Sequence, residues 1–140
     1  MSYKPIIIVA GEPNSVFFEI FFKSIKKNYF KSPLIIIASK KLLTEQMKIL
    51  GFNLKINLIN DNYSKINNLD NKKINIINVN YNFKEPFEKI SKKSNDYISE
   101  CFELALKIIK KNKYLKLING PIVKKKFFKW KIFRYHRVFS

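Results

Sequence analysis

Short runs of β-branched apolar residues alternate along the chain with segments whose apolar residues recur every three or four positions. Three apolar runs predict strands: 6–10, 34–38 and 114–118. The first, which is β-branched and ends at Gly11, is typical of a strand buried in a parallel sheet. Two others alternate apolar with polar positions and predict further strands: 54–58 and 74–79. The segments with helical spacing are 15–28, 39–50 and 94–111. The order β-α-β-α-β-β-α-β predicts an α/β fold with a mostly parallel sheet and helices on both of its faces.

Polar residues at the ends of the helical segments predict where the helices begin and end. Ser15 or Asn14 can cap the first helix, and Ser39 can cap the second. Gly51 follows the second helix at the point where its periodicity stops. The third helix is expected to begin at Ser94.

The apolar stripes of the helices predict which residues pack on the sheet. In the first helix the stripe consists of Val16, Phe17, Ile20, Phe21 and Ile25. In the third helix it includes the single cysteine of the chain, Cys101, among Tyr97, Ile98, Phe102 and Ala105. We therefore expect a buried, unreactive thiol, no disulfide framework and a cytoplasmic protein. The Asn-, Asp- and Lys-rich segment 60–73 is expected to be an exposed loop.

Basic residues outnumber acidic ones by 28 to 10, which gives a formal net charge of +18. Such an excess raises nucleic acid or an anionic surface as a partner. Lys, Asn and Ile are all encoded by A- and T-rich codons, however, so genomic base composition explains much of the excess. Lysine pairs spread along the chain are typical of solvated surface. The run 6–10 is far shorter than the roughly 18 residues of a membrane helix, so no membrane segment or signal peptide is predicted.

Two turns follow predicted strands at the edge where open α/β sheets bind their ligands. Gly11-Glu12-Pro13 combines a glycine that allows close backbone approach with a helix N-terminus that offers N–H groups to an anion. Asn119-Gly120-Pro121 follows the last strand, and Lys124 can direct an ammonium group at a phosphate or carboxylate. Each turn also fits a plain connection between elements. Neither a G-x-G-x-x-G fingerprint nor a P-loop is present.

These segments together resemble one family. Residues 8–13 resemble the opening strand and the Gly-Asp/Glu-Pro turn of the 4-hydroxythreonine-4-phosphate dehydrogenases, which act in pyridoxine biosynthesis. Residues 96–106 resemble the family's later helix, and residues 117–124 resemble its Ile-Thr-Gly-Pro-x-x-Lys turn. The resemblance covers most of 4–128. It implies the N-terminal part of the fold of isocitrate and isopropylmalate dehydrogenases, with candidate substrate- or anion-binding residues at Gly11, Glu12, Asn119, Gly120 and Lys124.

The chain departs from the family at three places. Bulky residues at 14–18 replace the small residues that commonly follow the first turn, and Asn119 stands where the family usually has Thr. The family is about twice as long, and its three metal-binding histidines come after the point reached here, whereas this chain has the single His136. Residues 1–128 are therefore expected to form one α/β domain, an N-terminal fragment of a longer enzyme.

The basic, aromatic segment 129–140 does not resemble the family. One permitted set of codons for it, read one nucleotide later, gives Asn-Gly-Lys-Tyr-Leu-Gly-Ile-Thr-Glu-Tyr, which resembles the family's next segment. We therefore expect this tail to be out of frame.

The resemblance implies an NAD-dependent oxidation of a phosphorylated hydroxy-amino acid, followed by decarboxylation assisted by a divalent metal, in a cytoplasmic homodimer. Because the family's metal ligands are missing, the fragment itself is expected to be inactive. The alternative function is a small basic α/β module that binds RNA or DNA non-specifically through its charge. Against it, Phe17, Phe21 and Phe102 fall at core spacing on their helices rather than on an exposed stacking platform.

Overall fold

The computed structural model describes residues 3–60, 69–89, 91–112 and 115–122. Within them the elements follow the predicted order. They are β1 (Ile6–Val9), α1 (Phe17–Lys27), β2 (Leu34–Ala38), α2 (Lys40–Leu50), β3 (Ile56–Leu58), β4 (Ile74–Asn78), α3 (Lys92–Lys111) and β5 (Lys116–Asn119). Lys124 and the tail 129–140 lie outside the described residues.

The strands form one five-stranded sheet in the order β3-β4-β2-β1-β5. Every neighbouring pair is parallel, and β1 lies between β2 and β5, with Ile7 opposite both Ile35 and Leu117. All five residues of β2 are buried, as are three of the four in β1. The β-branched runs pack well on a pleated surface covered on both sides, so the prediction of a mostly parallel sheet is confirmed.

Helices cover both faces of the sheet, as predicted. Because side chains alternate along a strand, Ile7 and Val9 contact the α3 side, whereas Ile8 and Ala10 contact the side of α1 and α2. Each face therefore has its own apolar cluster, and the sheet separates them. Cys101 lies in the cluster under α3 and is 1% exposed, which confirms that the thiol is buried.

The predicted core face of α1 is partly wrong. Val16 and Ile20 are 60% and 55% exposed, whereas Phe18, Phe21 and Phe22 are buried. The segment Phe-Phe-Glu-Ile-Phe-Phe is apolar on more than one helical face, so its spacing fits two different stripes. The observed core face keeps the predicted Phe21 but adds Phe18 and Phe22, because α1 packs against α2. The ring of Phe22 is centred 5.4 Å from that of Phe52, which follows α2.

Two of the predicted helix ends differ from those observed. Ser39 caps α2 by accepting a hydrogen bond from Leu42 N at 3.1 Å, and Gly51 ends it with a φ of 78°, both as predicted. Val16, rather than Ser15 or Asn14, is the N-cap of α1. The start of α3 lies two residues earlier than predicted, because Ser91 is its N-cap and exchanges hydrogen bonds with Ser94.

The segment before β4 is not simply an exposed loop in its described part. Asn71 is half-buried: its side-chain carbonyl accepts from Leu34 N at 2.8 Å, and its amide donates to the carbonyls of Phe30 and Ser32. Asn75 is 3% exposed and donates to Asp70 O at 2.7 Å. Asn75 also donates to Leu34 O at 3.2 Å, so both asparagines tie the start of β4 to the start of β2. Composition alone therefore misassigned Asn71 to an exposed loop.

Candidate functional site

The two predicted turns meet at the carboxyl ends of β1 and β5. After β1 the chain continues to β2 on one side of β1, and it later returns to place β5 on the other side. The direction in which strands are added to the sheet therefore reverses between β1 and β5. Open α/β sheets bind their ligands at such a switch point. The structure thus places Gly11, Glu12, Asn119 and Gly120 at the position where a ligand site is expected.

Backbone hydrogen bonds close the space between the two turns. Glu12 N donates to Pro121 O at 2.7 Å, and Gly120 N donates to Val9 O at 2.7 Å. Gly11 has a φ of 83°, and a Cβ there would lie 2.4 Å from Pro121 O. A Cβ at Gly120 would lie 2.0 Å from Ala10 O. Both glycines are therefore required for the two backbones to touch, and any ligand must lie above the turns rather than between them.

The candidate side chains differ in their surroundings. Glu12 is 5% exposed and lies in a closely packed setting next to Phe18, Leu42 and Tyr97. Asn119 is exposed, and its amide donates to Gly120 O at 3.0 Å. Glu12 and Asn119 thus lie at the same edge of the sheet, at the carboxyl ends of the neighbouring strands β1 and β5.

Gln46 connects the first turn to the loop after β4, and the sequence analysis missed it. It is fully buried on α2, and its side-chain amide donates to Pro13 O at 2.8 Å and to Pro86 O at 2.6 Å. The two carbonyls belong to segments more than thirty residues apart from the helix in sequence. A polar residue on the apolar stripe of α2 was the available signal, since a buried amide needs partners.

Two stacked tyrosines lie beneath the carboxyl ends of β2 and β4. The rings of Tyr81 and Tyr97 are 4.7 Å apart at an angle of 14°, and Tyr97 Oη accepts a hydrogen bond from Ser39 N at 2.8 Å. Burial raises the pKa of both phenols, that of Tyr97 more strongly. Burial likewise raises the pKa of the neighbouring Cys101 thiol. These groups are therefore protonated at neutral pH and act as packing and hydrogen-bonding groups.

A groove of about 530 Å³ opens beside Tyr81, next to the N-terminus of α2. Its lining includes Lys40, Lys41, Asn78 and Asn80. Lys40 N donates to Asn78 Oδ1 at 2.8 Å, so this N–H of the helix terminus already has an acceptor within the protein.

The turn that precedes α3 is held by a carboxylate. Glu88 Oε1 accepts hydrogen bonds from the backbone N–H groups of Lys84 and Glu85, and Lys93 Nζ lies 3.7 Å from Glu88 Oε2. The hydrogen bond from Lys84 is the main reason why the pKa of Glu88 is lowered, and the Lys93 charge adds to it.

The described residues do not fit a metal site. Among them, no group of three or more His, Cys, Asp or Glu side chains lies close enough to hold an ion. Within the same ranges, no helix has the length and apolar character needed to cross a membrane.

The two turns are in direct backbone contact, so there is no glycine-lined space between them for the pyrophosphate of a dinucleotide.

The chain matches the family of the pyridoxal phosphate biosynthetic protein PdxA over residues 30–136, which is most of its length. The chain belongs to the PdxA family. The family resemblance inferred from the sequence is therefore confirmed; the segments 96–106 and 117–124 lie within the matched residues, whereas 8–13 precedes them. No curated protein sequence matches the chain significantly.

Solved structures show the same fold. A 4-hydroxythreonine-4-phosphate dehydrogenase from Burkholderia phymatum superposes with a TM-score of 0.72 at 22% identity, over 86% of this chain and 37% of that one. The corresponding enzyme from Klebsiella pneumoniae gives 0.71 at 16% identity, over 87% and 38%. A putative one from Salmonella typhimurium gives 0.69 at 17% identity, over 88% and 38%.

The chain thus spans less than two-fifths of the length of these PdxA-family structures. Its fold is of the isocitrate and isopropylmalate dehydrogenase-like kind, as the sequence resemblance implied.

Proposed function

We propose that the chain corresponds to an N-terminal part of an NAD-dependent dehydrogenase that oxidises and decarboxylates a phosphorylated hydroxy-amino acid in pyridoxal phosphate biosynthesis. The observation that carries this proposal is the PdxA family match over residues 30–136. The solved structures that resemble this chain include two 4-hydroxythreonine-4-phosphate dehydrogenases. The meeting of the two turns at the switch point supports it.

The two turns would form one wall of the substrate site. Gly11 and Gly120 would bring the backbones together, and Glu12 and Asn119 would flank the position above them. Lys124, which lies outside the described residues, would supply a positive charge to the phosphate or carboxylate of the substrate. Bulky Phe17 and Phe18 follow the first turn, so the substrate would approach from the side of β5 rather than over α1.

An NMR titration of the ¹⁵N-labelled chain tests this wall directly. The chain has three glycines, and Gly51 lies at the far end of α2, so its amide serves as an internal control. On addition of 4-phosphooxy-threonine we expect the amide resonances of Gly11 and Gly120 to shift while that of Gly51 stays fixed. Lys124→Ala should weaken the response, whereas the matched Lys110→Ala, on α3, should not.

Three outcomes would contradict the site or part of it. Equal shifts at all three glycines would indicate a general ionic-strength effect, and an unchanged titration of Lys124→Ala would remove that residue from the site. No shift at Gly11 and Gly120 up to millimolar substrate would reject the proposed wall itself.

We also propose that these 140 residues by themselves do not turn over the substrate. The family's metal site requires three histidines, and this sequence contains one. NADH formation, followed by absorbance with and without Mg²⁺ or Zn²⁺, should stay at the level of a blank. Substrate-dependent NADH production by the purified chain would overturn this point and leave the family assignment intact.

The remaining expectations from the family are a cytoplasmic location and a homodimer. Reducing surroundings suit the single buried thiol of Cys101. Light scattering of the chain at several concentrations would test the homodimer, and a monomer mass at every concentration would reject it for this chain.

A further inference from the structure

A basic and aromatic groove lies at the amino ends of the strands, at the edge opposite the two turns. Its volume is about 500 Å³. We call it the amino-edge groove; its lining includes Lys26, Lys27, Tyr29, Lys31, Asp70 and Lys72. The wall that we assigned to the dehydrogenase substrate does not share residues with it.

Two tyrosines next to this groove are strongly exposed. Tyr29 is 91% exposed and Tyr3 is 51% exposed. The ammonium group of Lys31 lies 5.8 Å from the centre of the Tyr3 ring. An aromatic ring left open to water next to cations can stack on an unpaired base while the cations contact the phosphates.

The segment that carries Tyr29 is anchored on both sides. Asn28 N donates to Ser24 O at 2.9 Å at the end of α1. Phe30 packs against the core, and the Asn71 amide donates to its carbonyl at 3.2 Å. Tyr29 therefore points outwards from a segment whose neighbours are fixed, so little ordering of the loop opposes binding.

The charge of the groove is almost entirely positive. Of its lining residues, four are lysines and one is an acid, Asp70, whose Oδ1 accepts a hydrogen bond from Lys72 N at 2.9 Å. Lys26 and Lys27 are exposed in the last turn of α1. The chain as a whole carries a formal charge of +18, which attracts a polyanion over a longer range.

We propose that the amino-edge groove binds single-stranded nucleic acid, with Tyr29 stacked on a base and the lysines on the adjacent phosphates. Phe17, Phe21 and Phe102 pack in the core, and the exposed rings next to the groove are those of Tyr29 and Tyr3. A duplex is disfavoured as the ligand, since its bases are already stacked on one another.

The stacking role is tested by fluorescence anisotropy with a labelled single-stranded RNA of about twelve nucleotides. Tyr29→Ala should weaken binding by about fivefold or more, and Tyr29→Phe should retain it, because the ring rather than the hydroxyl stacks on the base. Tyr29 is exposed, so neither substitution is expected to change the urea midpoint. A duplex of the same sequence should compete poorly.

A matched pair of charge variants tests where the RNA binds. Lys26→Gln/Lys27→Gln removes two exposed lysines from the last turn of α1, and Lys110→Gln/Lys111→Gln removes two from the last turn of α3. The logarithm of the association constant falls linearly with the logarithm of the salt concentration, by about 0.7 for each phosphate contact. The first variant should make this slope less steep by about 1.4, and the second should change it much less.

Several results would overturn the proposal. Equal effects of the two lysine pairs, together with no effect of Tyr29→Ala, would mean that binding is diffuse electrostatics over the whole surface. Preference for the duplex would exclude base stacking, and no measurable binding at low salt would reject the site. Since the groove and the turns lie at opposite edges, none of these results bears on the dehydrogenase assignment.

Discussion

Replacing Gln46 by methionine should loosen the edge of the sheet that carries the candidate site. Methionine has nearly the same length and shape, so Gln46→Met removes the two hydrogen bonds to Pro13 O and Pro86 O without opening a cavity. The side chain is fully buried, and in the described part of the chain its Oε1 has no hydrogen-bond partner. The change therefore removes two donors and one unpaired acceptor together.

The expected loss of stability follows from these groups. A typical hydrogen bond contributes about 1 kcal/mol net, and a buried carbonyl left without its donor costs about 1–3 kcal/mol. Removal of the unpaired Oε1 offsets part of this cost, so we expect a net loss of about 1–3 kcal/mol. With a urea m-value of about 2 kcal/mol/M, the unfolding midpoint should fall by about 0.5–1.5 M.

Urea unfolding followed by circular dichroism measures this loss. Lys48→Met is the matched control, because it introduces the same side chain at an exposed position of the same helix, where the two residues have similar helix propensity. A midpoint for Gln46→Met equal to that of Lys48→Met would show that the connection between the two loops does not stabilise the protein. A displaced Gly11 amide resonance in Gln46→Met alone would show that the connection positions the first turn.

The remaining predictions concern the thiol, the second turn and the tail. Cys101 should react with a thiol reagent far more slowly than a free cysteine, at a rate limited by unfolding, because burial raises the pKa of its thiol. A raised pKa in the folded state also means that stability is lost as pH rises above the unfolded value of about 8.5, and Cys101→Ala should flatten that part of a stability-against-pH curve. Gly120→Ala should shift the urea midpoint down strongly or prevent folding, since its Cβ would lie 2.0 Å from Ala10 O, whereas Gly51→Ala, with open space around it, should cost only the strain of its φ of 78°. Deletion of residues 130–140 should leave the unfolding midpoint unchanged, and a large fall on deletion would show that the tail belongs to the folded domain.

Much of the fold was accessible from local patterns. The buried run 34–38 matches the bounds of β2, and Ser39 and Gly51 mark the ends of α2, because each of these features depends on a few neighbouring residues. The sequence also predicts that the two turns lie at one edge of the sheet, since all parallel strands end at the same edge.

Other features required the tertiary structure, since they depend on which elements pack together. Phe18 and Phe22 became core residues only because α2 lies against that side of α1, and no period in an apolar-rich helix distinguishes this arrangement. The roles of Gln46 and Asn71 depend on carbonyls that lie 33 to 41 residues away in sequence. The sequence by itself determined the class of the fold, the elements and the family, because hydrophobic period, caps and turn residues are local. Only the tertiary structure decided that Gly11 and Gly120 allow the two turns to touch, and that Tyr29 is solvent-exposed in a groove lined by four lysines. Burial and proximity are properties of the packed chain.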